Sequence, residues 1–303
     1  MTTRSTINVG DAAVEVLSRA GLRRFYTVPG ESFLEVLDAV EQHPALSLVS
    51  TRHESGASFM AEADAKLTGV PAVAMATRGV GASNLAIGVH TALHDSTPMV
   101  VLLGHVERHF LGREAFQEVD LGAFYAPITK WAATVNRAER LAEYVERGLR
   151  IATSGRPGPV MLALPADILA EEVPYPPSTD PLPAPRPAPN SEEVHYISRL
   201  LEKARSPVAI AGEGAGGAHQ ELISFAEAFG VGVYAAFRRQ DVFPNDHPLY
   251  LGHLTLGTPP ETLRALEAAD LALASDSVAL VDVLTDSDLI SPTSRLSELA
   301  GAE

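Results

Sequence analysis

Three short segments hold the residue types most able to do chemistry: Val28-Pro29-Gly30-Glu31, Arg52-His53-Glu54-Ser55-Gly56, and Thr77-Arg78-Gly79-Val80-Gly81-Ala82-Ser83-Asn84. Together they offer two carboxylates, two glycine turns and an amide. A carboxyl group in a turn is a candidate general acid or base, and glycine lets backbone come close to a ligand. Glu54 has a plainer reading as well, since an acid at the start of a helix is favoured by the helix dipole. Local sequence alone leaves both open. Two histidine pairs, His90/His94 and His105/His109, are each spaced four apart and could meet on a helix face. Neither is followed by the glutamate of a zinc-protease helix, and a third ligand is missing, so no metal site is expected.

These junctions need strands that deliver them to one edge. Runs rich in β-formers over 25–28, 46–50, 71–76, 99–103 and 160–164 alternate with helical patterns, as βαβ units on a parallel sheet require. Ser32 and Ser83 are expected to cap helices, with a turn over 77–81. A helix over 54–67 should close at Gly69. In such a sheet, ligands bind beyond the carboxyl ends of the strands.

Residues 173–190 read VPYPPSTDPLPAPRPAPN, a proline-rich spacer. Beyond it, a helix over 192–203, a strand over 207–211, a helix over 220–229 and a strand over 231–235 predict a second, smaller α/β unit with too few strands to be complete. The fold class is therefore α/β: a doubly wound parallel sheet over 1–172, a linker over 173–190, and an incomplete dinucleotide-fold-like domain over 191–303. Gly212-Glu213-Gly214-Ala215-Gly216-Gly217 fits G-x-G-x-x-G, but no ribose-binding acid ends the next strand, which runs into Ala236-Phe237-Arg238. That argues against a nicotinamide site.

Composition narrows the partners. The 303 residues are 46% hydrophobic and 20% charged, which suits an ordered globular chain, and the formal net charge of -15 argues against nucleic acid. There is no cysteine, which excludes disulfides and agrees with a reducing compartment. No apolar run approaches the roughly 18 residues of a membrane helix, and the expected location is the cytoplasm.

The ordered segments VPGES, TRHESGASFMAEADAKLTG, TRGVGASNLAIGVHTALHDSTPMVVLLG, FQEVDLGAFYAPITKW and SGRPGPVMLALPADI resemble the pyrimidine-binding domain of thiamine diphosphate enzymes, of the acetolactate synthase type, over residues 5–172. The resemblance implies a role for each position. Glu54 would bond N1′ of the aminopyrimidine, favouring the imino tautomer that removes the thiazolium C2 proton. Burial among Ser55, Gly56 and Ala57 would favour this proton sharing. Pro29 and Gly30 would lie against the pyrimidine, with Thr77, Gly81 and Asn84 flanking it. Val80 stands where the family usually has proline. Ala63 and Asp64 replace its glycine and tyrosine, with Asp64 expected to face solvent. Phe116 and Gln117 would border the substrate pocket and Lys130 its entrance, although the residues by themselves read equally as a core aromatic and surface polars.

Residues 191–274 resemble the family's central domain, which binds FAD in some members and nothing in others. Arg156 matches an FAD-contacting arginine, and Gly212 and Gly214 would join such a site. FAD is thus an option, though carboligation needs no redox step. The family's third domain holds Mg²⁺ through a Gly-Asp-Gly motif that this sequence lacks, so Mg²⁺ would come only through a missing domain or a partner chain. The resemblance fades after Leu273-Ala274, as in a truncated or separately encoded chain. Three functions are implied. The first is the N-terminal part of an acetolactate-synthase-like enzyme acting on 2-keto acids, inactive alone. The second is the pyrimidine-half subunit of a split decarboxylase or aldehyde lyase, and the third a non-catalytic interaction protein. A homo-oligomer is expected.

Overall fold

The computed structural model describes residues 6–176 and 188–275, with short strands at 281–282, 289–291 and 294–295. The chain divides into two compact units, Met1–Pro185 and Arg186–Glu303. The first runs β1 (Thr6–Asn8), α1 (Val9–Arg19), β2 (Arg24–Thr27), α2 (Leu34–Gln42), β3 (Ser47–Ser50), α3 (Glu54–Thr68), β4 (Ala72–Thr77), α4 (Arg78–His94) and β5 (Met99–His105). It continues with α5 (Leu121–Tyr125), β6 (Trp131–Thr134), α6 (Leu141–Thr153), β7 (Pro159–Pro165), α7 (Ala166–Leu169) and β8 (Glu172–Pro174). Six parallel strands form one sheet in the order β3-β2-β4-β5-β7-β6.

The central strands are buried along their whole length because helices cover both faces. Alternation then sorts their side chains. Val73, Met75, Val100, Leu102, Val160 and Leu162 join a core with α1, α2 and α6. Ala74, Ala76, Val101, Leu103, Met161 and Ala163 join another with α3, α4 and α5. Since β2 lies between β3 and β4, the chain leaves β2 for α2 on one face and leaves β4 for α4 on the other. The two connections diverge and open a crevice at that point of the sheet edge.

Helix α3 packs closely on α4. Ala57, Ala61 and Ala65 on α3 and Ala82 and Leu85 on α4 are fully buried or nearly so. A Cβ placed on Gly88 would lie 2.6 Å from the Cβ of Ser58 and 2.9 Å from its carbonyl carbon. The helices can approach this closely only because that side chain is absent.

Several expected details are corrected. Ser32 and Ser83 cap no helix. Ser32 sits in a short 3₁₀ turn and its hydroxyl pairs with that of Thr77, while Ser83 lies inside α4 and donates to the Gly79 carbonyl at 2.7 Å. The turn expected over 77–81 is the first turn of α4. Asp64 does not face solvent freely: its carboxylate accepts from Arg24 at 2.6 Å and its side chain is largely covered. Val173 and Pro174 of the expected spacer pair with β1 in β8. Residues 177–187 of that spacer lie outside the described residues, as does most of the sequence beyond 275.

The second unit contains α8 (Ser191–Lys203), β9 (Pro207–Ala211), α9 (His219–Phe229), β10 (Gly232–Ala235), β11 (Tyr250–His253), α10 (Pro260–Glu267), β12 (Leu271–Ser275) and β13 (Val281–Asp282). Its sheet is ordered β11-β10-β9-β12-β13 and is parallel except for β13. It therefore has more strands than the two expected from sequence.

Alanine normally stabilises a helix interior relative to glycine by about 1 kcal/mol. At Gly88 the reverse should hold. Gly88→Ala must separate α3 from α4 or distort Ser58, at a net cost of roughly 1–3 kcal/mol for an overpacked site. Urea unfolding of the variant beside the parent measures this, and equal or greater stability would show that the contact is not constrained as described.

Candidate functional site

The site begins where β3 ends. Thr51 N–H donates to the Thr27 carbonyl at 2.8 Å, and its hydroxyl donates to the His53 carbonyl at 2.9 Å, which bends the chain into α3. His53 then caps that helix, its Nδ1 accepting from the Ser55 N–H at 3.3 Å. Glu54 is thereby fixed as the first helical residue, half-buried and turned toward α4.

There its Oε2 accepts from Asn84 Nδ2 at 2.9 Å. Its Oε1 lies on the side of Gly81. A Cβ on Gly81 would stand 3.3 Å from that oxygen and 3.1 Å from the Cβ of Ala76, so any larger residue would crowd the carboxylate. Asn84 engages one oxygen and the glycine leaves room at the other. A carboxylate arranged in this way can hold or accept a proton at a ring nitrogen.

Across the crevice, Gly30 is pressed against Thr77: a Cβ there would lie 2.6 Å from the threonine Cβ. The Ser32–Thr77 hydroxyl pair and an Arg78–Glu31 ion pair at 3.3 Å tie the same two connections together. Pro29 is exposed beside Gly30. Gly79 N–H donates to the Gln117 carbonyl at 3.0 Å, and Gln117 adopts the left-handed φ of 63° that this approach demands. Phe116 next to it is 74% exposed. Contacts thus connect Gly30, Glu54, Thr77, Gly81, Asn84 and Gln117 along the carboxyl edge, with Pro29 and Phe116 at its rim.

Lys130 and Arg156 are elsewhere. Both precede the amino ends of β6 and β7, on the opposite edge of the sheet. Lys130 donates to the carbonyls of Ile151 and Ser154, the latter at 2.7 Å, and burial lowers its pKa from the ordinary lysine value. Arg156 donates to the Ser96 hydroxyl at 2.7 Å and the His94 carbonyl at 2.8 Å. Each cation satisfies carbonyls at the end of a helix, α6 and α4 respectively. The glycines Gly212 and Gly214 belong to the second unit.

Other polar groups lie at the carboxyl edge. His105, only 4% exposed, ends β5, so the spacing that suggested a helical pair with His109 does not describe it. Its Nδ1 and the Nε of Arg78 are buried without a hydrogen-bond partner. Glu118 accepts the N–H groups of Gly112 at 2.6 Å and Ala115 at 2.9 Å, bonds that hold its carboxyl below the usual range. His90 and His94 do meet, Nε2 to Nε2 at 2.9 Å, yet no group of three or more metal-ligating side chains exists among the described residues. Nor does any described helix have the length and apolarity to cross a membrane.

Burial lowers the His105 pKa, against the opposing pull of Glu118 and Asp120. The folded state therefore binds its proton more weakly than the unfolded chain does. Stability from this source is complete above about pH 6.5, the ordinary imidazole value, and is lost as pH falls below it toward the lowered pKa. His105→Gln should flatten that part of the stability curve, measured as melting temperature at pH 5 and pH 7.5. A parent whose stability rises on acidification over this window would contradict the account.

Comparison with known proteins identifies the family. Residues 7–124 match the family model described as "Thiamine pyrophosphate enzyme, N-terminal TPP binding domain", and residues 194–275 match "Thiamine pyrophosphate enzyme, central domain". Among curated proteins, the chain is 35% identical over 270 residues to acetolactate synthase 2, chloroplastic, of Zea mays, covering 87% of this chain and 42% of that one. It is 33% identical over 274 residues to the acetolactate synthase isozyme 1 large subunit of Escherichia coli K12 (89% and 48%), and 32% identical over 291 residues to the acetolactate synthase large subunit of Corynebacterium glutamicum (94% and 46%). The chain spans less than half the length of these relatives. These two domain matches, with relatives at 32–35% identity over most of this chain, show that the chain belongs to the thiamine pyrophosphate enzymes.

Proposed function

We propose that this chain supplies the aminopyrimidine half of a thiamine diphosphate site in an acetolactate-synthase-like enzyme acting on 2-keto acids. The observation that carries this reading is the Glu54 carboxylate, held at one oxygen by Asn84 and given room at the other by Gly81. That arrangement fits a ring that must exchange a proton at one nitrogen. Thiamine diphosphate, when bound, supplies an acidic thiazolium carbon that adds to a ketone carbonyl and accepts the electrons released on decarboxylation.

In this reading, Glu54 holds and returns a proton at N1′ of the pyrimidine, and Asn84 keeps the carboxylate from rotating away. Gly30, packed on Thr77, and Pro29 form the wall along the ring. Phe116 and Gln117, tied to the first turn of α4, line the approach of the keto acid. Mg²⁺ and the diphosphate would be held by a further domain or chain, because the described residues offer no cluster of metal ligands.

The test joins this chain to the diphosphate-binding region of one of the relatives, fused or in trans. Glu54→Gln should then leave cofactor affinity within about tenfold by calorimetry. Exchange of the thiazolium C2 proton, followed by quenched NMR, should slow at least ~100-fold, the scale of a positioned acid or base. A variant that exchanges as fast as the parent would show that Glu54 is not the activating carboxylate.

The same reading includes self-association. Phe59, Met60 and Ile87 on the outward faces of α3 and α4 are exposed, as is Val80 near the site, and a second copy would cover them. Sedimentation at micromolar concentration should give dimers or larger species, and Ile87→Glu should shift them toward monomer. A compact monomer for the parent contradicts this part of the proposal.

A further inference from the structure

The glycine loop of the second unit leads from β9 into α9, at the edge where dinucleotide folds bind a diphosphate. Such loops work by presenting unpaired backbone N–H groups to the phosphates at a helix N-terminus. Here three of those groups are already used. The N–H of Ala215 donates to the Gly212 carbonyl at 3.1 Å, that of Gly216 to Glu213 at 2.9 Å, and that of Ala218 to Ala215 at 2.9 Å. The loop is wound into a short 3₁₀ turn over Glu213–Ala215, and α9 does not begin until His219. The last glycine of the pattern, Gly217, packs against nothing: a Cβ there would meet no atom within 4 Å.

A cation is also present, and it is taken. Arg239 follows the neighbouring strand β10 and is only 7% exposed. Its guanidinium lies against the carboxylate of Glu213, the second residue of the glycine loop, and donates to Asp241 at 2.8 Å, while Glu213 Oε2 and Arg239 Nε are buried without a hydrogen-bond partner. Gly216 leaves room for it, since a Cβ there would stand 3.3 Å from Arg239 Nη2. Two carboxylates surround the buried cation, so an approaching diphosphate would have to displace Glu213 from Arg239 and would find part of the loop's N–H groups engaged.

We infer that the glycine loop of the central unit is an anion site filled from within. Glu213 occupies on Arg239 the place that a dinucleotide's diphosphate would need, and the unit takes no FAD. This places the disagreement with the flavin-binding option in one residue, whatever the first unit does.

Equilibrium dialysis and flavin fluorescence with the whole purified chain test it. The parent should retain no FAD and show no saturable quenching, and inorganic pyrophosphate should not raise its melting temperature. Glu213→Gly, and the nearly isosteric Glu213→Gln in case the first misfolds, remove the carboxylate from the loop side of Arg239 and leave it paired with Asp241 alone. Both should gain pyrophosphate-dependent stabilisation and bind FAD at least ~10-fold more tightly than the parent. Saturable, stoichiometric FAD on the parent would overturn the inference. So would a folded Glu213→Gln chain that binds pyrophosphate and FAD no better than the parent.

Discussion

The candidate site depends on how closely α3 lies on α4. Glu54 and Asn84 are thirty residues apart in sequence and on different helices, yet share a hydrogen bond. Their meeting requires that the helices touch along almost bare backbone, which Gly88 against Ser58 and the buried alanines of α3 allow. Such an interface gains from dense contact rather than from large apolar side chains. It also resists drift, because a small displacement of either helix would open voids along its whole length. Tyr125 strengthens it from the side, its buried hydroxyl donating to the Ala82 carbonyl at 2.7 Å.

The parallel sheet then separates two kinds of work by edge. At the carboxyl edge, connections leave the strands toward helix N-termini, and the groups found there are Glu54, Asn84, Arg78 and His105. At the amino edge, chains arrive from helix C-termini, and the cations Lys130 and Arg156 bind the carbonyls left over there. The direction of the strands decides which residues can belong to the site. Lys130 and Arg156 meet the backbone carbonyls that their charge favours.

This division explains what could be read in the sequence. Continuous apolar runs such as Met99–His105 and Pro159–Pro165 announce buried parallel strands, and the junction at His53-Glu54 was legible because β-run, acid and helix pattern follow directly on one another. Other features hid for physical reasons. Trp131–Thr134 is short and only half-buried, so its pattern is weak. Tyr250–His253 carries a glycine at φ 116°, which breaks the local strand signal. Ser32 looked like a helix cap, but its hydroxyl is drawn to Thr77, a partner that only the crossing at β2 and β4 supplies. His105 showed a spacing and nothing more, since its meaning comes from burial at the end of β5.

Glu54 and Glu213 complete the contrast, as each follows a parallel strand near a glycine turn. A neutral amide holds Glu54 at one oxygen, leaving the charge uncompensated and the other oxygen clear beside Gly81. A guanidinium lies against Glu213, and that cation is shared with Asp241. Carboxylate and glycine occur at both places, so neither residue type separates an open site from a filled one. The partner does. An amide orients a carboxylate without neutralising it and leaves a proton acceptor, whereas an arginine sets an opposite charge against it. A glycine-rich junction in this fold therefore has to be read through the charge of whatever faces its acid.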